Sequence, residues 1–159
     1  MALVINKNTY VTVEEADTYF NQRLSSEAWL EAESEDKEKS LIMATRVINQ
    51  FRYIGRKLSN DQKLAFPRID SSLVLNDAQL IKYNLNQDKV PEDVKYAQLE
   101  QAIYYLEGED ANRQLMDAGI TSFSSNGASF SMQNDGYAAL SQSARLYLKP
   151  YLTKGGRLI

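Results

Sequence analysis

The tightest constraint on this chain is a succession of helical segments whose starts and stops are written into it by capping residues. Thr12 followed by Glu15 is a capping box: the hydroxyl can accept from the amide three residues on, while the carboxylate reaches back to the cap. Behind it Val13, Ala16, Tyr19, Phe20 and Leu24 recur on one face, which predicts a helix over about 13–24. Ser25 and Ser26 stop that helix and can cap a short segment carrying Trp29 and Leu30. Ser34 is the expected cap of the next helix, over about 35–53. Its first turn is acidic (Glu35, Asp36, Glu38) and its inner face is Leu41, Ala44, Thr45, Ile48 and Phe51. Gly55 is placed to end it in the left-handed conformation. Pro91 suits the first helical position, with Glu92 and Asp93 in the first turn and Val94, Leu99, Ala102, Ile103 and Leu106 lining a face to about 107. Leu140, Ala144, Tyr147 and Leu148 resume the spacing until Pro150.

Two stretches break the pattern. In residues 51–68, Ser59 or Asn60 can cap a single helical turn, and Pro67 forces Phe66 out of helical geometry. In 120–132, Asn126-Gly127 lies between short runs of alternating character, the best short signal for a two-residue hairpin turn. A short helix is expected within 73–83. The expected fold is mainly α: a bundle of about four to five helices with a β-hairpin at about 120–132 and extended N- and C-terminal arms. With no internal repeat or linker, residues 1–159 read as a single domain. It comprises an N-terminal arm (1–11), a helical core (12–107), the hairpin (120–132), a C-terminal helix (140–150) and a tail (151–159).

The chemistry is bounded by what is missing. The chain has no cysteine and no histidine, which removes disulfides, thiolate nucleophiles, Cys/His zinc sites and the Ser-His-Asp arrangement. Catalysis would rest on carboxylates, Lys, Tyr or Ser. The acidic clusters at Glu14/Glu15/Asp17, Glu31 to Glu38 and Glu107/Glu109/Asp110 sit where helix ends favour such residues, so we read them as solvated helix termini. No phosphate-binding glycine loop is present. We expect no enzyme, catalytic residues, metal or cofactor. An acid–base enzyme built on those clusters is the remotest reading. No apolar stretch reads as a signal peptide or a bilayer span, and the expectation is a cytosolic protein that leaves the cell, if at all, by lysis.

Two candidate surfaces remain. In 51–68, Arg52, Arg56, Lys57, Lys63 and Arg68 interleave with Phe51, Tyr53 and Phe66, a composition that suits single-stranded nucleic acid, held by cations and aromatic platforms. The formal net charge of −3 argues against a dedicated DNA binder, so we favour inward-packed aromatics and paired cations for this segment. In the hairpin, Phe123 and Phe130 exceed what a small helical core can absorb. The expected assembly surface is therefore Phe123, Asn126, Gly127, Phe130 and Met132, together with Lys154 and Arg157 of a flexible cationic tail.

The order of motifs resembles a known family. Tyr10-Val11-Thr12-Val13-Glu14-Glu15-Ala16-Asp17-Thr18-Tyr19-Phe20 is followed by Trp29 and by Ala44-Thr45-Arg46. Then come Phe51 to Lys57, Gln62 to Arg68, and Val90-Pro91-Glu92-Asp93-Val94-Lys95-Tyr96-Ala97. Together with the run Leu140 to Leu152 they resemble the head–tail connector (adaptor, or head-completion) proteins of tailed bacteriophages, some of them catalogued as DnaT-like single-stranded-DNA-binding proteins. Many members have Trp-Pro-Arg where this chain has Phe66-Pro67-Arg68. The resemblance implies a virion neck protein assembled in the host cytoplasm. Its subunits would form a dodecameric ring between the portal protein and a stopper or tail-completion protein. Double-stranded DNA would pass through the channel without specific binding, and no cofactor or membrane is implied. The competing expectation is a single-stranded-DNA-binding accessory protein using 51–68 through Arg52, Tyr53, Arg56, Lys57, Lys63 and Arg68.

Overall fold

Helix α4, Glu92–Leu106, is the axis on which the other elements pack. The computed structural model describes residues 2–69, 88–108, 122–125, 128–131 and 139–153, the 122–125 and 128–131 strands by their backbone alone. Before α4 come α1 (Val13–Asn21), α2 (Glu27–Leu30) and α3 (Ser34–Ile48). After it comes α5 (Gln142–Leu148), prolonged by a 3-10 turn at Lys149–Tyr151. Two antiparallel strand pairs complete the described elements: β1 (Arg56–Lys57) with β2 (Arg68–Ile69), and β3 (Ser122–Ser125) with β4 (Ala128–Ser131). The fold is mainly α with a small β-hairpin, as expected. Ser125 pairs with Ala128, leaving two positions between β3 and β4, as an Asn-Gly turn requires. The turn itself and the helix expected within 73–83 lie outside the described residues. No helix among the described residues is long and apolar enough to cross a membrane.

The helix starts follow local chemistry. At α1 the Glu15 amide donates to Thr12 Oγ1 at 3.1 Å and the Thr12 amide to Glu15 Oε2 at 2.9 Å, closing the capping box. Other boundaries differ from expectation. Helix α1 stops at Asn21, so Leu24 leaves its apolar face and stands 91% exposed. The reason is the Arg23 side chain, which folds back onto the Leu24 and Ser25 carbonyls and fixes a turn there. Ser26 precedes α2 without capping it; its hydroxyl donates to the Arg23 carbonyl instead. Ser34 is the first residue of α3 and Glu33 its cap, without a side-chain cap bond. Helix α3 ends at Ile48, well short of 53, because Asn49 is held by distant groups: its Oδ1 accepts from the Tyr10 hydroxyl and the Ala65 amide, both at 2.8 Å. Gly55, with φ of 71°, serves the turn ahead of β1 rather than the helix end. Pro91 is the cap of α4 rather than its first residue, with extended backbone (ψ 143°).

Two apolar clusters share α4. One gathers Tyr10, Ile48, Phe51, Phe66, Val94, Ala97, Leu148 and Tyr151. The other gathers Val11, Phe20, Trp29, Leu41, Leu99, Ala102 and Ile103. From Ala97 to Ile103 every residue of α4 is buried, including Gln98, Glu100 and Gln101. A buried polar group is costly unless hydrogen-bonded, and these three are bonded to other elements.

Gln98 holds the N-terminal segment. Its Oε1 accepts from the Tyr10 amide at 2.9 Å, while Nε2 donates to Thr9 Oγ1 at 2.8 Å and to the Leu41 carbonyl at 3.1 Å. The segment is thus no free extended arm: Asn8 closes a turn on Val4, and Thr9, Tyr10 and Val11 are buried. Gln101 does the same for the other end, accepting from the Ser141 amide at 2.7 Å; Ser141 in turn caps α5. Glu100 accepts from the Tyr19 hydroxyl (2.6 Å), Arg23 Nε (2.8 Å) and a second guanidinium nitrogen (3.1 Å), tying the end of α1 to α4.

The tail expected from residue 151 begins later than that. Tyr151 is 1% exposed and donates its hydroxyl to Asp93 at 3.1 Å. The Ile54 amide donates to the Tyr151 carbonyl, Thr153 donates to the Arg52 carbonyl, and Tyr53 bridges to Leu152. Tyr151–Thr153 is a third strand-like line beside 52–54.

Two outcomes follow. Gln98→Leu keeps the volume but leaves the Tyr10 amide without its acceptor, and should cost about 1–3 kcal/mol in a urea melt. Truncation after Pro150 removes a core aromatic and should cost about 3–5 kcal/mol; an unchanged melting temperature would show that Tyr151 does not hold the fold.

Candidate functional site

The segment that follows α3 carries six of the candidate residues, and its path separates them into two groups. After Ile48 the chain runs through Phe51 and Tyr53, turns at Gly55, pairs as β1 with β2, and returns through Phe66-Pro67. Strand pairing alternates the faces. The inward face takes the aromatics: Phe51, Tyr53 and Phe66 are all buried. Phe66 sits at the centre, edge-on to Tyr53 (4.7 Å between centroids), to Tyr151 (5.7 Å) and to Tyr10 (6.4 Å). The Tyr53 hydroxyl donates to the Ile48 carbonyl at 2.7 Å. Tyr53 is therefore a core residue and offers no ring to a base, which removes it from the nucleic-acid set.

Arg68 leaves that set as well. Its Nε donates to the Ile54 carbonyl at 2.8 Å, one terminal nitrogen to Ala65 at 3.2 Å, and the other to Tyr53 at 3.2 Å and to Gly55. The guanidinium fork is filled by four backbone carbonyls and holds the Gly55 turn against the Phe66 loop. Burial pushes its pKa down. The expectation that the cations pair with acidic partners is not met at Arg68 and Lys57: Arg68 is satisfied by carbonyl oxygens, and Lys57 Nζ donates to the Gln62 carbonyl at 3.0 Å.

What the fold leaves outward is Arg52, Arg56 and Lys63, exposed, and Lys57, half-buried. Asp61 is the one acidic residue between Arg52 and Lys63. Ser59–Gln62 forms a turn, not a helical turn, with the Asp61 amide donating to Ser59 Oγ at 3.3 Å. Lys63 also stands on the wall of an open cleft of about 1030 Å³. Ile5, Lys7, Leu58, Pro67, Asp88, Val90, Glu92 and Lys95 line it with Lys63.

Of the acidic clusters, Glu15 and Asp17 are held in fixed pairs, and Glu109 and Asp110 lie outside the described residues. Glu15 pairs with Lys95 at 2.9 Å; burial works against its charge, but Lys95 and the Thr12 amide outweigh that and hold its carboxyl below the usual range. Asp17 accepts from Trp29 Nε1 (2.8 Å) and Lys37 Nζ (3.1 Å). Among the described residues no group of three or more carboxylates is arranged to hold a metal ion.

Of the assembly candidates, Phe123 and Phe130 face each other across the β3–β4 ladder as backbone partners. Their side chains, and Asn126, Gly127, Met132, Lys154 and Arg157, lie outside the described residues. The polar docking residues Gln98, Glu100 and Gln101 were not singled out in the sequence. Their one local sign is that polar positions fall in the middle of α4, where a surface helix would confine them to one face.

No curated protein and no solved structure matches the chain. A protein-family model does, over residues 2–128, a span that holds α1 to α4 and the outward cations and stops short of α5 and the Tyr151–Thr153 line. By that match the chain belongs to the family described as "Putative DnaT-like ssDNA binding protein".

Proposed function

We propose that the chain is a binding protein that holds single-stranded nucleic acid by its phosphates, through Arg52, Arg56, Lys57 and Lys63 and without base stacking. The observation that carries this reading is the sorting of the 51–68 segment, cations outward and aromatics in the core. Family membership supports the ligand class. A phosphate-only contact is electrostatic and blind to base identity. It is weaker than a site with aromatic platforms, each of which adds about 1–3 kcal/mol per base.

A second reading keeps the connector subunit: a structural protein of the phage neck that joins the portal protein to the tail side. It is favoured by the absence of stacking rings in the 51–68 segment and by the net charge of −3, which suits a surface along which DNA slides. In this reading Phe123, Phe130 and the tail beyond Thr153 form the contacts, and the outward cations serve assembly.

Fluorescence anisotropy with labelled oligo-dT and oligo-dA separates the two. The first reading expects similar affinities for both and a log–log salt slope of magnitude up to about 3, from four phosphates on a single strand. Arg56→Ala/Lys57→Ala should lower that slope by about 1.4. Trp29 fluorescence should not change on binding, because the ring is buried away from the segment. Arg68→Ala should instead lower thermal stability, through the loss of its carbonyl bonds. No measurable binding at low salt, with co-purification of the chain and a phage portal protein, would replace the first reading by the second. In that case, replacing 121–131 by a short Gly linker should leave the helical circular-dichroism signal intact and abolish portal attachment.

A further inference from the structure

We infer that the open cleft beside the outward cations receives a base of the bound strand, packed on aliphatic and proline side chains while Lys63 holds its phosphate. The site rests on the nucleic-acid reading, to which it adds a base contact. The cleft joins the cations directly. Lys63 lines it, and so does Leu58, which follows Lys57 in the chain. The Lys57 ammonium donates at 3.0 Å to the carbonyl of Gln62, another lining residue. A volume of about 1030 Å³ is at the upper end of small-ligand sites, which run from about 300 to 1,000 Å³, so a nucleotide fits.

The lining suits a nucleotide better than a plain polyanion. Ile5, Leu58, Pro67, Val90 and Pro91 give it apolar surface, and both Ile5 and Leu58 are 40% exposed. Such surface can cover the face of a base without an aromatic ring. The charges are mixed. Lys95 is paired with Glu15, and Glu92 accepts from the Tyr96 hydroxyl at 3.1 Å. Of the other charged lining residues, Lys7 and Lys89 offset Asp61 and Asp88 in number, which leaves Lys63 for a phosphate. Carboxylates repel a chain of phosphates but accept from the imino group of thymine as from the amino group of adenine, so the cleft does not choose between those bases. The lining is also held in place before anything binds. The Leu58 amide donates to the Pro67 carbonyl at 3.3 Å, and Gln62 Nε2 donates to the Leu64 carbonyl at 2.8 Å and to that of Pro67 at 3.0 Å. Ile5 sits in a turn closed by the Lys7 amide on the Val4 carbonyl at 3.0 Å and by the Asn6 amide on the Thr9 carbonyl at 2.9 Å. A preformed site loses little free energy to ordering when it binds.

The test is fluorescence anisotropy on the full chain with two labelled strands of equal length: oligo-dT, and an abasic strand that keeps the sugars and phosphates and lacks the bases. Oligo-dT should bind about tenfold more tightly than the abasic strand at the same salt, the worth of about 60 Å² of apolar contact. Both should show one salt slope, because they share their phosphates. Leu58→Ala should weaken oligo-dT about fivefold, through the lost apolar contact, and leave the abasic strand unchanged. Ile5→Ala should act in the same direction, and a thermal melt of each variant checks that it is folded; if one is not, the other carries the comparison. Equal affinities for the two strands, or folded variants that leave the difference between the strands as it is, would overturn the cleft site and leave the phosphate reading in place. No binding of either strand would remove the phosphate reading and the cleft site together.

Discussion

The hydrogen bonds made by Gln98, Glu100 and Gln101 are what the rest of the structure depends on. Helix α4 is surrounded from Ala97 to Ile103, and apolar contact alone would let neighbouring elements slide along it. The three polar side chains forbid that, because a register shift would strand each of them in the interior at a cost of about 1–3 kcal/mol per group. Gln98 sets the depth of the N-terminal segment and at the same time touches α3 through the Leu41 carbonyl. Gln101 sets where α5 begins, and Glu100 sets where α1 ends. Among the described residues, no buried side-chain nitrogen or oxygen lacks a hydrogen-bond partner.

A second knot, built on Phe66 and Arg68, follows from that placement. With the N-terminal segment docked, Tyr10 lies against Phe66 and its hydroxyl meets both Asn49 and the Phe66 amide. With α5 docked, Tyr151 closes the other side of the same ring. Arg68 then gathers the carbonyls of the surrounding turn, so that loops from both halves of the chain become one rigid shelf. The shelf decides what the segment offers to solvent. Its rings are used up in packing, and its remaining cations are left on the outside. A contact made by such a surface is governed by charge and salt.

The same network explains why Leu24 stands furthest into solvent among the large apolar residues described. Arg23 has one guanidinium to divide between Glu100 and the Leu24–Ser25 carbonyls, and satisfying both forces the chain into a tight turn. Leu24 is carried outward as a consequence. A partly buried ion pair and an exposed leucine are thus two ends of one interaction.

The sequence by itself determined the elements whose physics is local. Thr12 with Glu15, the acidic first turn of α4 and the spacing of Leu41, Ala44, Thr45 and Ile48 all act within one or two turns of helix. Each is present where it was expected. The two-residue separation of β3 and β4 belongs with them, because Asn-Gly chooses its turn without help. Only the tertiary structure decided the roles of residues whose partners lie far along the chain. Leu24 has helical spacing, yet the distant Glu100 turned it outward. Tyr53 and Arg68 have the composition of a nucleic-acid site, yet Phe66 and four carbonyls took them into the fold. Tyr151 follows a helix-stopping proline and would pass for the start of a tail, yet Asp93 and the strand at 52–54 hold it in the core. Periodicity says which residues share a face; it does not say what arrives from a hundred residues away to cover it, because that is set by packing and by the need of buried polar groups for partners.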